Sequence, residues 1–572
     1  MAKIPQTLHP DAPLLHSDHP RPVTRRDFIK QGFVSGGAMV TGGALLNMFI
    51  DPREANATLS NDIQAAATAA GCPVGVSGAG KIPFLAFDLG GGANFAGSNV
   101  IVGGPGGQPD AGSVSAAGYN RLGVPGDRLP DPSGTGNFVN SSLGLSFHSE
   151  SALLAGILDK VSAGCIAGIN GAIIPARSDN DTGNNPHNPM YGIAKVGANG
   201  GLLTLIGSQA SESGARSLSP SIYIDPEIRP VKVDRPSDVT GLVDTGELLG
   251  ILNQADAVSV MEAVARLSEA RIDGFDPALA TPAANTDFQN LLKCGYYKSA
   301  DIADRFAQPS DLDPAQDPDI VGPTGIWSSG DFDGARNYQK TASVMKLVCG
   351  TLAGAGSITM GGYDYHTGNR TTGEVRDIVA GQCIGAALEY AHRRKVPLFV
   401  YVYSDGSVFS NGNTDDNAVN FQNISLPGGK GVWTGDNSGG AASIILAYNP
   451  DRLAATPTGV RPTIRGGTPA AQAARQQLGY FRSNGSVETS ARTPGGFPIT
   501  AANNVNMLVN TVLLNYMAMH YNVPVGDLGN QFYTDFNGLF PTHGLGSDAA
   551  LDELIIFDGL ASSVNLGTHV ML

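Results

Sequence analysis

Short apolar runs that end in polar or glycine-rich turns recur along this chain, and they predict buried β-strands. The runs lie at 82–89, 163–174, 201–208, 357–360, 396–403 and 442–448. Between them, apolar residues recur every three or four positions, as in amphipathic helices, at 147–161, 336–355, 374–394 and 501–521. Strands that alternate with helices are typical of an α/β fold whose central sheet is mostly parallel and flanked by helices.

The region near 240–306 interrupts this alternation and predicts a helical insertion. Two apolar stripes at helical spacing run through it, one formed by Val258, Met261, Val264, Ala265 and Leu267 and the other by Phe288, Leu291 and Leu292. We interpret both stripes as core packing. Stretches rich in Gly, Pro, Asn and Asp at 103–136 and 408–431 predict long loops. Residues 58–572 are therefore predicted to form one large α/β domain with a helical insertion and long loop insertions.

The first 57 residues have the features of an export signal. They contain the twin-arginine pair Arg25 and Arg26, a weakly apolar run at 32–50, and a small-residue cleavage site at 55–57. This pattern predicts a twin-arginine signal peptide over 1–57, and hence a periplasmic or secreted protein with no permanent membrane span after cleavage. A retained membrane anchor is the alternative, but glycines and threonines make the apolar run marginal as a span.

Charge and cysteine content exclude several classes of protein. The net charge of −15 disfavours nucleic acid as a partner, because such binding depends on neutralising phosphates with basic side chains. Five cysteines without a Cys-x-x-Cys pair make neither a zinc motif nor a dense disulfide framework. Cys165, Cys349 and Cys383 lie in apolar stretches and are predicted core residues, whereas Cys72 and Cys294 can be paired or free.

Asp364 and His366 give the sharpest chemical signal in the chain. They follow the predicted strand at 357–360 and a Gly-Gly turn. Side chains two positions apart in an extended segment point the same way, so these two can bind one cation or one phosphate-like group together. A hydrogen-bonded polar turn without metal is the alternative interpretation.

Two further carboxylates are expected near this pair. Asp405 follows the predicted strand at 396–403, and Asp436 precedes the one at 442–448. Open α/β sheets bind their ligands at the carboxyl ends of the strands. We therefore expect Asp364, His366, Asp405 and Asp436 to hold metal.

A polar loop after the predicted strand at 163–174 supplies candidates for catalysis. It contains Arg177, Ser178, Thr182 and His187. Ser178 or Thr182 can act as a nucleophile, and Arg177 or His187 can bind an oxyanion. A solvated loop without a catalytic role is the alternative.

These motifs together resemble a large family of exported bacterial proteins of unknown function, which is similar to the alkaline phosphatase and sulfatase superfamily. The resemblance rests on the twin-arginine leader, the strand ending in Gly90-Gly91, the Ala176-Arg177-Ser178 loop, the Gly-Gly-Tyr-Asp-Tyr-His segment at 361–366, Ser404-Asp405 and Gly435-Asp436-Asn437. It implies an alkaline phosphatase-like α/β fold, bound divalent metal, and a small anionic phosphate or sulfate ester as substrate.

The chain departs from the family pattern at three places. Asn94 stands where an acid is expected, Asp405-Gly406 replaces a Glu-Phe-Gly-Arg segment, and Asn437 replaces a histidine. A two-metal site of the superfamily type needs five or six ligands, and this chain offers four. Among Ca²⁺, Mg²⁺, Mn²⁺ and Zn²⁺, the oxygen-rich set favours one hard cation such as Ca²⁺ or Mg²⁺ over a zinc pair.

Two hypotheses from different classes follow. The first is an exported metal-dependent hydrolase of phosphate or sulfate esters. The second is a catalytically degenerate protein on the same scaffold that binds a ligand or an envelope partner. The missing metal ligands favour the second, whereas the Asp364 and His366 pair and the Arg177-Ser178 loop favour the first.

Overall fold

The structure is a computed structural model that describes residues 59–72, 74, 80–131, 138–178, 185–244, 252–279, 281–306, 309–451, 454, 456–521 and 529–560. The predicted signal peptide at 1–57 and the candidate nucleophile Thr182 lie outside these residues. The chain divides into two compact units, and each is described by itself. Within the described residues, the smaller unit comprises 59–74 and 252–305, and the larger unit comprises the remainder.

The described residues form thirteen strands, which are numbered in chain order. They are β1 Phe84–Gly90, β2 Val139–Asn140, β3 Phe147–His148, β4 Ile169–Pro175, β5 Leu203–Gly207, β6 Val231–Lys232, β7 Ala353–Gly361, β8 Leu398–Tyr403, β9 Val408–Asp415, β10 Val419–Phe421, β11 Ile424–Leu426, β12 Lys430–Asp436 and β13 Ala442–Tyr448. Seven of them form one sheet in the order β4-β13-β8-β1-β7-β5-β6. Within it, β13 runs in the direction opposite to the other six strands, and all pairs that do not involve β13 are parallel. The predicted α/β class with a mostly parallel central sheet is therefore confirmed.

Fifteen α-helices are present in the described residues. They are α1 Asn61–Ala69, α2 Ala116–Arg121, α3 Ala152–Lys160, α4 Ala163–Ala167, α5 Met190–Lys195, α6 Pro236–Gly241, α7 Gln254–Asp273, α8 Pro282–Arg305, α9 Ser329–Gly334, α10 Arg336–Cys349, α11 Arg370–Arg393, α12 Pro469–Arg475, α13 Val505–Ala518, α14 Gly529–Leu539 and α15 Asp548–Leu554. Short 3₁₀ helices occupy Gln108–Ser113, Gly126–Arg128, Pro309–Leu312, Pro314–Gln316 and Thr500–Asn503. None of the helices in the described part of the chain is both long enough and apolar enough to cross a membrane.

Two predictions about local structure were wrong. The run at 163–174 is not one strand, because the Ser162 hydroxyl accepts a hydrogen bond from Cys165 N–H and caps the short helix α4 before β4 begins. The stretch at 408–431 is not a long loop, because β9 pairs with β12 and β10 pairs with β11. These four strands, β9 to β12, are called the ribbon. They are short and partly exposed, so they are rich in the Asn, Asp and Gly residues that are typical of loops.

The smaller unit is a set of helices tied by one disulfide. Cys72 and Cys294 are bonded, which resolves the pairing that the sequence left open. A buried apolar cluster joins α1, α7 and α8 around this bond. The interpretation of the α7 stripe as core packing was wrong for part of it, because Val264 and Leu267 are exposed while Val258 and Ala265 are buried.

A buried set of ion pairs connects α11 to the ribbon strand β12 in the larger unit. The Glu374 carboxylate receives a charge-assisted hydrogen bond from Arg370 at the start of α11 and lies 2.8 Å from Lys430 Nζ at the start of β12. Lys430 also donates to the backbone oxygens of Ser98 and Glu150. All three charged side chains are buried, and Glu374 is the anion that Arg370 and Lys430 share, while Arg370 also lies 3.6 Å from Asp415.

We predict that Glu374→Gln lowers the free energy of unfolding by about 3–5 kcal/mol, because it leaves Arg370 and Lys430 buried without their shared anion. Asp127 provides the control, because its side chain is 74% exposed and lies 3.7 Å from Arg128, and Asp127→Asn should cost at most about 1 kcal/mol. Urea unfolding of both variants measures the difference. Equal effects of the two changes would contradict the importance of the buried set.

Candidate functional site

The candidate site lies at the carboxyl ends of three adjacent parallel strands. β1 lies between β7 and β8 and pairs in parallel with both, so the segments that follow the three strands leave the sheet side by side. β12 also ends here, because Asp436 pairs with Val408 at the start of β9, shortly after β8. The fold therefore brings segments from four distant parts of the chain to one edge of the sheet.

Asp364, His366 and Asp436 meet at this edge. His366 Nε2 lies 2.7 Å from Asp364 Oδ1 and 3.4 Å from Asp436 Oδ1. One ligand atom from each residue lies within 4.8 Å of the others. The exposed fractions of the side chains are 60% for Asp364, 31% for His366 and 41% for Asp436, so the cluster opens to solvent.

Close backbone packing fixes the segment that carries Asp364 and His366. Gly91 has a φ of +123°, and a Cβ added there would lie 2.5 Å from the backbone nitrogen of Asp364. Tyr363 N–H donates to Gly90 O at 3.1 Å, and Gly368 N–H donates to Trp433 O on β12 at 2.8 Å. The glycine turn after β1 and strand β12 thus hold the segment from two sides.

Asp405, the fourth predicted ligand, lies apart from this cluster. Its carboxylate is buried, accepts a hydrogen bond from Gly91 N–H at 2.7 Å and lies 3.5 Å from Arg216 Nε. The side chain therefore supports the glycine turn from within the protein. The position of Asp405 just after β8 placed it at this edge of the sheet, but the sequence does not contain the information that its side chain is buried.

The predicted catalytic loop contributes a buried polar group. The Ser178 hydroxyl donates to the backbone oxygen of Asp405, accepts from Asn185 Nδ2 at 2.7 Å and lies 3.5 Å from His187 Nε2. Ser178 and His187 are both buried, and the His187 ring stacks on Tyr403. Arg177 is exposed, and its backbone N–H donates to Ala502 O. In this arrangement Ser178 and His187 do not face the solvent that reaches the Asp364 cluster.

Two residues of the site were missed by the sequence analysis. Arg216 lies against Gly90, since a Cβ added at Gly90 would come within 2.6 Å of its Cδ, and 39% of its side chain is exposed. Asp88 on β1 accepts hydrogen bonds from the backbone and hydroxyl of Ser217. Burial raises the pKa of Asp88 to about 6, and the neighbouring Asp405 acts in the same direction. Arg216 belongs to the polar loop after β5, and a basic residue after a parallel strand was the available signal.

Asn94 and Asn437, at which the chain departs from the pattern of the family it resembles, have different surroundings in the structure. Asn437 Oδ1 accepts from Gly439 N–H at 2.6 Å, so this side chain shapes the turn after β12. Asn94 is buried, and its backbone N–H donates to the hydroxyl of Tyr365, the residue between Asp364 and His366. Neither atom of the Asn94 amide has a hydrogen-bond partner within the described residues, which is unusual for a buried polar group.

The donor set of the cluster fits one divalent cation. Two carboxylates and one imidazole suit Mg²⁺, Ca²⁺, Mn²⁺ or Zn²⁺, and three protein ligands leave positions for water or substrate. Comparisons with protein family models, with curated proteins and with solved structures give no match to this chain.

We predict that Gly91→Ala weakens cation binding by at least about tenfold, because the new methyl group displaces the backbone of Asp364 and misplaces the ligands. Gly361→Ala is the matched control, since its added methyl group meets no heavy atom within 4 Å. Calorimetric titration with Mn²⁺ measures both. Unchanged binding by Gly91→Ala would mean that the cluster does not hold the ion.

We predict a pH dependence of stability that comes from His187. Burial lowers the pKa of His187 to about 4, so the unfolded chain takes up a proton between pH 6.5 and 4 that the folded chain does not. The contribution of His187 to the free energy of unfolding should therefore decrease as the pH is lowered from 6.5 to 4, by about 1.4 kcal/mol per pH unit for one proton. The Asp88 carboxyl has a raised pKa and acts in the opposite sense, with a contribution to stability that is lost as pH rises from about 4 to about 6.

The variant His187→Phe separates the two groups, because it keeps an aromatic ring against Tyr403 and removes the titratable ring nitrogens. The difference in unfolding free energy between wild type and variant should change with pH between 4 and 6.5 and be flat above 7. A flat difference over the whole range would show that His187 has the same pKa in the folded and the unfolded chain.

Proposed function

We propose that this protein is a metal-dependent hydrolase-like protein of the phosphatase and sulfatase type that acts on small anionic esters. The observation that carries the proposal is the convergence of Asp364, His366 and Asp436 within 4.8 Å at the carboxyl edge of the sheet. Twin-arginine export to the periplasm or beyond is part of the proposal and rests on Arg25, Arg26 and the residues after them.

The cluster is suited to hold one cation and to leave it accessible. All three side chains reach solvent, and the segment that carries two of them is fixed by the Gly90-Gly91 turn. A divalent ion bound there would polarise an ester oxygen and lower the pKa of a bound water. One imidazole among two carboxylates favours a hard or borderline ion over a soft one.

Arg216 supplies a positive charge for the anionic group of the substrate. It lies beside Gly90, and Asp364 lies beside the next residue, Gly91, so both residues border the same glycine turn. The Arg216 side chain is held by Asp405 at its Nε and is 39% exposed, which leaves its terminal nitrogens for a ligand. Asp405 compensates this charge in part, so the attraction of an anion to the site depends on the guanidinium together with the bound cation.

A catalytically degenerate, ligand-binding protein is the second candidate, and the burial of Ser178 favours it. The Ser178 hydroxyl is engaged by the Asp405 backbone and by Asn185, so this hydroxyl does not face the cluster. We therefore do not assign Ser178 as a covalent nucleophile, and we propose that hydrolysis at this site uses water. If water is not activated, the same residues form a cation-dependent binding site for an anionic ligand or an envelope partner.

We predict that the purified chain binds one equivalent of divalent cation and hydrolyses aryl phosphate or sulfate esters only when the cation is present. Asp364→Ala and Asp436→Ala should lower cation affinity by at least about tenfold and abolish this turnover. Arg216→Gln should raise KM with the cation content unchanged, because Arg216 contacts the anion and not the ion. Elemental mass spectrometry and a chromogenic ester assay measure these effects.

Asp416→Ala is the control, since it removes one exposed carboxylate from the ribbon and should change neither cation content nor turnover. One bound cation without turnover would favour the ligand-binding candidate. The same cation content in Asp364→Ala, Asp436→Ala and wild type would contradict the site itself.

A further inference from the structure

Exposed apolar side chains are concentrated in the smaller unit. Of the nine large apolar residues that are exposed in the described part of the chain, six belong to α7, α8 and the turn between them: Val260, Val264, Leu267, Phe275, Leu279 and Phe288. The smaller unit contains only about a seventh of the described residues, so the concentration marks it as an interaction surface.

On the outward face of α7, apolar residues are placed symmetrically about the middle of the helix, and opposite charges lie at its two ends. Val260, Ala263, Val264 and Leu267 form an exposed central stripe, with Leu267 exposed to 69%. Four residues before Val260 is the exposed acid Asp256, and four residues after Leu267 is the exposed base Arg271. Among the described residues, neither of these two charges makes an ion pair.

We propose that this face of α7 pairs with the same face of a second copy of the chain. In an antiparallel pair related by a two-fold axis between Ala263 and Val264, each Val260 meets Leu267 of the partner subunit. Each Asp256 then meets Arg271 of the partner subunit, at both ends of the interface. One residue type therefore always faces a complementary one, as a two-fold interface requires.

The helix dimensions support this pairing. α7 has 20 residues and is about 30 Å long, so the four apolar residues lie near its middle and the charged pair lies about two turns from the centre on each side. Ser259 and Ser268 border the stripe and are small enough to let two helices approach closely. A contact of this length lies at the small end of stable interfaces, so we expect a reversible dimer.

The charges on α7 disfavour a membrane surface as the occupant. Its exposed charged residues are Asp256, Arg266, Arg271 and Asp273, which are of both signs and in equal number. Helices that bind anionic membranes carry an excess of Lys and Arg beside the apolar face. Arg266 is further engaged by Asp62 and Glu262.

Sedimentation of the full chain over a range of concentrations tests the proposal. Wild type should pass from monomer to dimer, and Leu267→Asp should weaken dimerisation by at least about tenfold, because it places two carboxylates in the apolar stripe. Leu218→Asp is the matched control, since Leu218 is also exposed but belongs to the larger unit, and it should dimerise like wild type.

Charge reversal tests the register. Asp256→Arg and Arg271→Asp should each weaken the dimer, and the double variant should restore it, although all three lose some helix stability at the α7 ends. Val264→Cys lies beside the two-fold axis and should form a covalent dimer under mild oxidation, whereas Ala471→Cys on α12 should not.

Three results would overturn the proposal. The first is a wild type that stays monomeric at all concentrations, and the second is a dimer that Leu267→Asp leaves intact. The third is a Val264→Cys variant that links to its own chain, since the stripe would then be covered from within the molecule.

Discussion

The buried pairing of Glu374 with Arg370 and Lys430 is the constraint on which the candidate site depends. Arg370 begins α11, directly after the segment that carries Asp364 and His366, and Lys430 begins β12, which ends at Asp436. One carboxylate thus joins the two parts of the chain that supply the cluster. Because a buried charge without its partner is costly, the two parts cannot separate easily. The site can therefore be open to solvent and still have fixed ligand positions.

The parts of this fold that the sequence predicted are those in which local pattern determines structure. The apolar runs of β1, β7, β8 and β13 are strands because they are buried on both faces of the sheet, and such strands need no alternation. Asp364 and His366 lie together because their spacing in the chain places them so. Asp436 was expected at this edge because it precedes β13, but it reaches the cluster as the last residue of β12, a strand that the sequence did not predict.

Other features depend on contacts between distant residues, which no local pattern contains. The buried Asp405 carboxylate accepts a hydrogen bond from Gly91 N–H, which directly follows β1. The buried Ser178 hydroxyl bonds to Asn185 and to the backbone oxygen of Asp405. Helical periodicity identified the apolar residues of α7, but the face that α1 and α8 cover decided which of them are buried. Val264 and Leu267 remained outside, and this exposed face leads to the proposed dimer.

Crystals of the protein grown with Mn²⁺ would show directly whether Asp364, His366 and Asp436 bind a cation, because anomalous scattering locates the ion without assumption about its ligands. We expect one strong peak at coordination distance, about 2.0–2.4 Å, from Asp364, His366 and Asp436, with Arg216 outside the coordination sphere. No peak between these three residues, or a peak bound only by other groups, would contradict it.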